Sequence, residues 1–178
     1  QKMVVGDILN LRQLENVIKN ADIVFHFAAL ADLEKALHKP LETVINNILG
    51  TVNILEFSKK YKIKRVIYAS SIYSTSVQGG FYRCSKKAAE DYLEEYYKRY
   101  GLNFTILRYG SLYGLRTDES NGVFKVIKDA IESKKLQYFG SRSSIRKYIH
   151  VLDAARATAS TISGKYKNKY VNITGTTS

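Results

Sequence analysis

The sequence predicts an α/β protein: a parallel sheet, doubly wound, with helices on both faces. Two observations carry this. Short β-branched runs alternate along the chain with longer stretches whose apolar residues recur at helical spacing, the pattern of strand–helix units. Several of the short runs are also almost continuously apolar, as in strands buried on both faces.

The expected strands are Met3–Val5, Ile23–Phe27, Arg65–Ala69, Asn103–Leu107 and Tyr170–Ile173. Helical spacing joins Leu11, Leu14, Val17 and Ile18, and Asn20-Ala21 closes that helix. A second helical pattern runs through Val44, Ile48, Val52, Leu55 and Phe57. Pro40 stands where a helix begins, a position its fixed φ suits. Gly50 lies inside this pattern at a cost in propensity, which points to close backbone packing. Ala88, Ala89, Tyr92, Leu93 and Tyr96 carry the third helix, ended by Gly101 at a C-cap position. Val123, Val126, Ile127 and Ile131 carry the fourth, and 152–162 the fifth. "GSRSSIRK" (140–147) reads as a basic, polar loop.

With 178 residues the chain is long enough for one domain with a real core. No apolar run reaches bilayer-spanning length and no secretory signal pattern opens the chain, so no membrane association is expected. Cys84 is the only cysteine, which rules out an internal disulfide and suits a reducing, cytoplasmic location. The net charge is +12. Lys and Arg are spread along the chain with Asp and Glu interspersed on the helices, unlike the single basic face of a nucleic-acid binder. The charge therefore fits a solvated, Lys-rich surface or a bias toward anionic small substrates.

In an open parallel sheet, ligands bind beyond the carboxyl ends of the strands. Three segments fall there: "HFAALAD" after 23–27, "SSIYS" after 65–69 and "RYGSLYGLR" after 103–107. Tyr82 and Lys86, four apart, share one helix face. A phenol is a poor base at neutral pH, and a nearby cation favours its phenolate. A hydroxyl opposite, from Ser70 or Ser71, can hold a substrate oxygen while tyrosine moves its proton. Among fourteen tyrosines, this spacing alone does not separate a proton-transfer pair from a surface contact.

The order of motifs from Gly6 to Ile173 resembles the extended short-chain dehydrogenase/reductase family, in its NAD-dependent epimerase/dehydratase branch. "VVGDIL" is similar to the segment in which an aspartate, here Asp7, meets the adenine of NAD, with Ile8 beside it. "DIVFHFAALAD" resembles the strand and turn behind the cofactor, which implies that Phe27, Ala28 and Ala29 pass under its phosphate–ribose arm. "NNILGTVNILEFSKK" looks like the Asn-x-x-Gly-Thr helix, placing Asn47 near the cofactor. "RVIYASSIY" ends in the catalytic hydroxyl, aligned on Ser71 rather than Ser70, and "YRCSKKAAE" is similar to the Tyr-x-x-Ser-Lys-x-x-x-Glu block, giving Tyr82 and Lys86. "LRYGSLYGLR" and "SIRKYIHVLDAARA" resemble the later substrate-side blocks. They imply a cofactor contact for Tyr109, substrate contacts for Ser111 and Arg116 beside that of Ser71, and a diphosphate contact for Arg146. The resemblance implies a Rossmann-like sheet, NAD rather than NADP, a nucleotide-sugar substrate, hydride transfer from a sugar carbon and proton removal by Tyr82. It also implies a full-length homodimer built from helices near 41–61 and 85–100.

The sequence departs from that pattern in four places. A glycine-rich fingerprint is missing and the chain opens at what resembles the third strand. The expectation is a partial NAD-binding domain over 1–178, truncated at both ends and inactive by itself. Its parts of the substrate region fall at about 111–150 and 170–178, and residues 1–8 are mispositioned, newly paired or mobile. Second, "YVNITGTTS" stops short of the rest of a substrate region. Third, only a short loop joins Ser71 to Tyr82, and Ile72 and Tyr73 stand where dehydratases carry acids, favouring an epimerase or 4-keto reductase. Fourth, Ser111 and Leu115 replace the usual asparagine and proline. A non-catalytic scaffold relative is the alternative from another class. Outside the motifs, His26 and His150 read as structural, and no second His or Cys stands at metal-ligand spacing. Asp153 reads as an N-cap, Cys84 as structural, Arg116 equally as a phosphate contact or solvated, and Tyr92, Tyr96, Tyr97 and Tyr100 as a packing stripe.

Overall fold

A computed structural model describes residues 2–119, 121–136 and 147–175. The elements in order are α1 (Leu11–Ile18), β1 (Ile23–His26), α2 (Leu33–His38), α3 (Pro40–Val44), a π-helical turn (Ile45–Leu49) and α4 (Gly50–Lys60). There follow β2 (Arg65–Ser71), a 3-10 turn (Ile72–Thr75), α5 (Gly80–Tyr100), β3 (Phe104–Tyr109) and β4 (Ser111–Tyr113). The chain continues through α6 (Gly122–Ser133), β5 (Tyr148–His150), α7 (Val151–Ser160), a 3-10 turn (Gly164–Tyr166) and β6 (Lys169–Ile173).

The main sheet has the order β1-β2-β3-β6, and each neighbouring pair is parallel. Alternation along β2 and β3 divides their side chains between two layers. Val66, Tyr68, Phe104 and Ile106 pack on Leu55 of α4 and on Ala89, Leu93 and Tyr96 of α5. Ile67, Leu107 and Ile173 pack on Ala154 of α7. The expected sandwich with helices on both faces follows from this division. A third cluster joins Leu14 and Ile18 of α1 to Ile54 and Ile63. A second, two-stranded sheet, β4-β5, stands beside the main one. Its strands of three residues are too short to show a period. The expected substrate-side segment from 170 begins inside the main sheet, as β6.

The helix stops and starts follow their local chemistry. Pro40 is the first residue of α3. Gly101 caps α5 in the left-handed region at φ 68°, where glycine carries no Cβ penalty. Gly50 is close-packed: a Cβ there would lie 2.4 Å from Ile8 Cδ1. Asn53 Nδ2 also donates to the Ile8 carbonyl at 3.2 Å, so Ile8 is held to α4 from two sides.

Two expectations are corrected. Met3–Val5 forms no strand: no described strand pairs with it, and Met3 and Val5 are 88% and 86% exposed. Without a ladder its backbone groups gain nothing from the extended form. Asp153 does not cap α7. His150 does, accepting from Leu152 N–H, while Asp153 sits in the first turn and pairs with Arg156 at 3.0 Å. Of the tyrosine stripe, Tyr96 is buried and donates to Glu56, and Tyr92, Tyr97 and Tyr100 keep substantial exposure.

Leu93 is 1% exposed at the centre of the α5–sheet layer. Leu93→Ala is expected to cost about 3 kcal/mol of unfolding free energy, read from the urea midpoint at unchanged m-value. A loss below about 1 kcal/mol would mean that this layer is not the core.

Candidate active site

β2 runs from core to cleft, and its last two residues, Ser70 and Ser71, reach the carboxyl edge of the sheet. α5 begins after the short loop that follows and returns along the sheet, so its first two turns lie over that edge. Tyr82, Ser85 and Lys86 are all buried there. Ser71, Tyr82 and Lys86 line one cleft of about 670 Å³, together with Phe27, Ala29 and Tyr109.

The cleft is mostly apolar, and its charge sits in one place. Lys86 is 3% exposed and donates from Nζ to the Ala69 carbonyl at 2.8 Å. The ammonium lies 4.8 Å from the Tyr68 ring centre and 5.7 Å from that of Tyr82. Desolvation pulls the Lys86 pKa down to about 8, opposed by the negative charge of Glu90 one turn along. Burial pushes the Tyr82 phenol up to about 12, and a hydrogen bond with Ser71 draws it the other way. The expectation that Lys86 makes Tyr82 a ready base is therefore not met by the protein alone. Nζ is committed to a strand carbonyl, and burial is the largest influence on the phenol.

The two serines have separate jobs. Ser70 Oγ donates to Glu90 at 2.5 Å and is tied into the α5–sheet layer. Ser71 Oγ accepts from Tyr73 N–H at 3.3 Å and faces Tyr82.

A second cleft of about 700 Å³ adjoins the first, sharing Ala29 and Ala31. Asp7, Ile8 and Ala28 line it. The residues assigned from sequence to the adenine end and to the reacting end thus occupy two hollows that meet at a stretch of alanines. Small side chains there let a ligand approach the backbone closely. The residues present fit an elongated dinucleotide, which they would hold with its adenine end by Asp7 and its reacting end by Lys86.

Three assigned residues are placed elsewhere, and a fourth falls outside the described residues. Asn47 lines neither cleft. It is 1% exposed in the π-helical turn, accepts from Leu30 N–H at 2.7 Å, and donates to the Leu30 carbonyl and to Ser85 Oγ. Its amide is spent on pinning the alanine turn to α5, so it shapes the cleft without touching its contents. Gly110 and Leu112 line the first cleft, and Ser111 between them does not. Arg116 is exposed in left-handed backbone, φ 66°, and lines neither cleft. Arg146 lies outside the described residues.

Sequence reasoning missed Thr158 and Asn121. Thr158, on α7, lines the cleft and bonds the Tyr109 hydroxyl. Asn121 caps α6 and donates to the Leu112 carbonyl at 2.6 Å. Both come from segments with no local motif, and only the fold brings them near.

His26 is packed at the strand end, 2% exposed, as read from sequence. Thr51 Oγ1 donates to the Asn47 carbonyl at 2.6 Å, so it accepts from His26 Nε2 at 2.9 Å. Among the described residues His26 Nδ1 has no partner. Burial, then the charge of Lys86, draws its pKa down to about 3.

A parallel α/β domain here gathers a serine, a tyrosine and a lysine at one edge of its sheet. The chain belongs to the NAD dependent epimerase/dehydratase family, whose model matches residues 1–173. A UDP-glucuronate 4-epimerase of Thermodesulfobacterium geofontis is 30% identical over 171 residues, 88% of this chain and 53% of that protein. A dTDP-D-glucose 4,6-dehydratase of Dictyostelium discoideum is 29% identical over 182 residues, 88% of this chain and 42% of that protein. The crystal structure of a UDP-glucuronic acid 4-epimerase from Bacillus cereus, in complex with UDP-glucuronic acid and NAD, superposes with a TM-score of 0.86. Identity there is 27%, covering 97% of this chain and 59% of that one. The chain spans about half the length of the curated relatives it matches.

Because the folded His26 resists protonation, the unfolded chain takes up a proton between pH 6.5 and about 3 that the fold does not. Stability is expected to fall through that window, by as much as roughly 4 kcal/mol at its acid end. His26→Leu should flatten thermal midpoint against pH between 7 and 4, and an unchanged slope would exclude this role.

Proposed function

We propose that the protein carrying this chain is an NAD-dependent epimerase of a nucleotide-activated sugar, acting by transient oxidation at Ser71, Tyr82 and Lys86. The observation behind this reading is that the three side chains share one cleft in which, among the described residues, no Asp or Glu stands. Eliminating water from a sugar needs an acid placed for the leaving hydroxyl. Here Ile72 and Tyr73, in a 3-10 turn, follow Ser71. Epimerisation needs no leaving hydroxyl: a proton leaves one hydroxyl and returns to it, while a hydride leaves the same carbon and returns to its opposite face. The similarity to sugar-nucleotide 4-epimerases supports the same choice.

Asp7, Ile8, Phe27, Ala28, Ala29, Tyr109 and Lys86 would hold NAD along the two clefts, where it would supply the hydride acceptor and donor. Tyr82 Oη, as the phenolate, takes the sugar hydroxyl proton and later returns it, while Ser71 Oγ holds the same oxygen by a hydrogen bond. A phenol near pKa 12 needs help to accept that role. Lys86 gives it by turning its ammonium from the Ala69 carbonyl toward the phenol oxygen. The apolar walls exclude water and strengthen that charge effect.

The nucleotide-sugar, the homodimer and a cytoplasmic location belong to the same proposal. Leu41 and Val44 of α3 and Tyr92 of α5 stay exposed on helices that pack together, a face suited to a second copy. Among the described residues no helix is long and apolar enough to cross a membrane.

In the full-length protein, supplied with NAD and either UDP-glucuronic acid or UDP-glucose, Tyr82→Phe is expected to lower epimer formation by at least about 10²-fold. NAD affinity by calorimetry should change little. Equal turnover by both proteins would remove Tyr82 from the chemistry. Since the ammonium of Lys86 is lost above about pH 8, kcat/KM should decline as pH rises through 8. A flat profile from pH 7 to 9.5 would contradict a charged lysine as helper.

A further inference from the structure

Glu90 is the buried charge that the mechanism does not use. It is 0% exposed, two turns along α5 from Tyr82 and one from Lys86. Its carboxylate gathers donors from three elements. Oε1 accepts from Ser70 Oγ of β2 at 2.5 Å, from Ser74 Oγ of the 3-10 turn at 2.8 Å and from Arg108 Nε of β3 at 3.0 Å. Oε2 accepts from Arg108 Nη2 at 2.7 Å. Ser74 Oγ also lies 2.8 Å from the Ser71 carbonyl. The residue before Ser71 and the residue three after it are thus held by one carboxylate, which reaches Ser71 from both sides without touching its side chain.

The same carboxylate is an anion acting on Lys86. The other groups facing that ammonium are Tyr68 of β2 and Tyr82 of α5, and its charge reaches His26 of β1. Arg108, on the far side of Glu90, stacks at 4.2 Å over the Tyr170 ring of β6, whose hydroxyl donates to Glu94. Removing Glu90's charge would leave Lys86 and Arg108 as two cations around a dry site.

We propose that Glu90 is a positioning residue: it clamps the segment 70–74 that presents Ser71, and it stands as the anion one turn along α5 from Lys86. The functional meaning rests on the Ser71–Tyr82–Lys86 reading given above, but its two physical consequences can be measured without turnover.

In the intact protein with ¹³C-labelled lysine, the Lys86 Cε resonance is followed against pH in the wild type, Glu90→Gln and Glu90→Asp. Glu90→Gln should lower the Lys86 midpoint by about one pH unit or more, and Glu90→Asp, which keeps the charge, should restore most of it. Ser74→Ala should leave that midpoint in place and speed amide exchange in residues 70–74 at least tenfold relative to β3. An unmoved Lys86 midpoint in folded Glu90→Gln overturns the proposal. If Glu90→Gln does not fold, unchanged exchange in Ser74→Ala and Glu90→Asp overturns it. A shifted midpoint in a protein that shows no epimerisation would support the charge role while the epimerase reading failed.

Discussion

The site depends on one interface: α5 against the end of β2. Most of that interface is ordinary apolar packing through Ala89, Leu93 and Tyr96. Toward the cleft it changes character. Lys86 bonds a strand carbonyl, Glu90 binds a strand serine and a turn serine, and Ser85 meets Asn47. Buried polar contacts of this kind are costly unless fully partnered, and partnered they allow few alternative registers. A slide of α5 by one residue would strand a lysine and a carboxylate in a dry layer. The interface therefore sets where Tyr82 stands relative to Ser71.

The same logic extends to the turn after β1. Asn47 sits in a π-helical turn, a local widening that interrupts the regular helical ladder and recurs at functional sites. From there it holds both backbone groups of Leu30. The alanines on either side of Leu30 form the boundary shared by the two clefts. Residues away from the ligand space, namely Asn47, Glu90 and Thr51, are what give that space its shape.

Much of this was legible in the sequence. Four of the five expected strands stand in the sheet, and each expected helix is present. Buried parallel strands are nearly all apolar and helices repeat at 3.6, so both leave strong traces. Gly50 was read as a packing glycine, and Ile8 fills the space. Ser71, Tyr82 and Lys86 were singled out by the resemblance of their motifs, the spacing alone being indecisive, and the fold brings the three to one cleft. Elements with no period were lost: α2, the β4-β5 pair and both 3-10 turns. Met3–Val5 has a strand's composition, but pairing is a property of neighbours and not of three residues. The direction of the Tyr82 shift was also beyond the sequence. A lysine four residues away says that a cation is near, whereas burial and the Ala69 carbonyl decide where its charge is spent.

On the proposed function, one dinucleotide lies along the two adjoining clefts with its reacting end between Tyr82 and Lys86. A crystal structure of the full-length protein with NAD tests it most directly. The account requires the nicotinamide ribose within about 2.6–3.2 Å of Lys86 Nζ or Tyr82 Oη, and the adenine beside Asp7 and Ile8. A nucleotide bound elsewhere, or bound there with Tyr82 and Ser71 turned to separate regions, would contradict it.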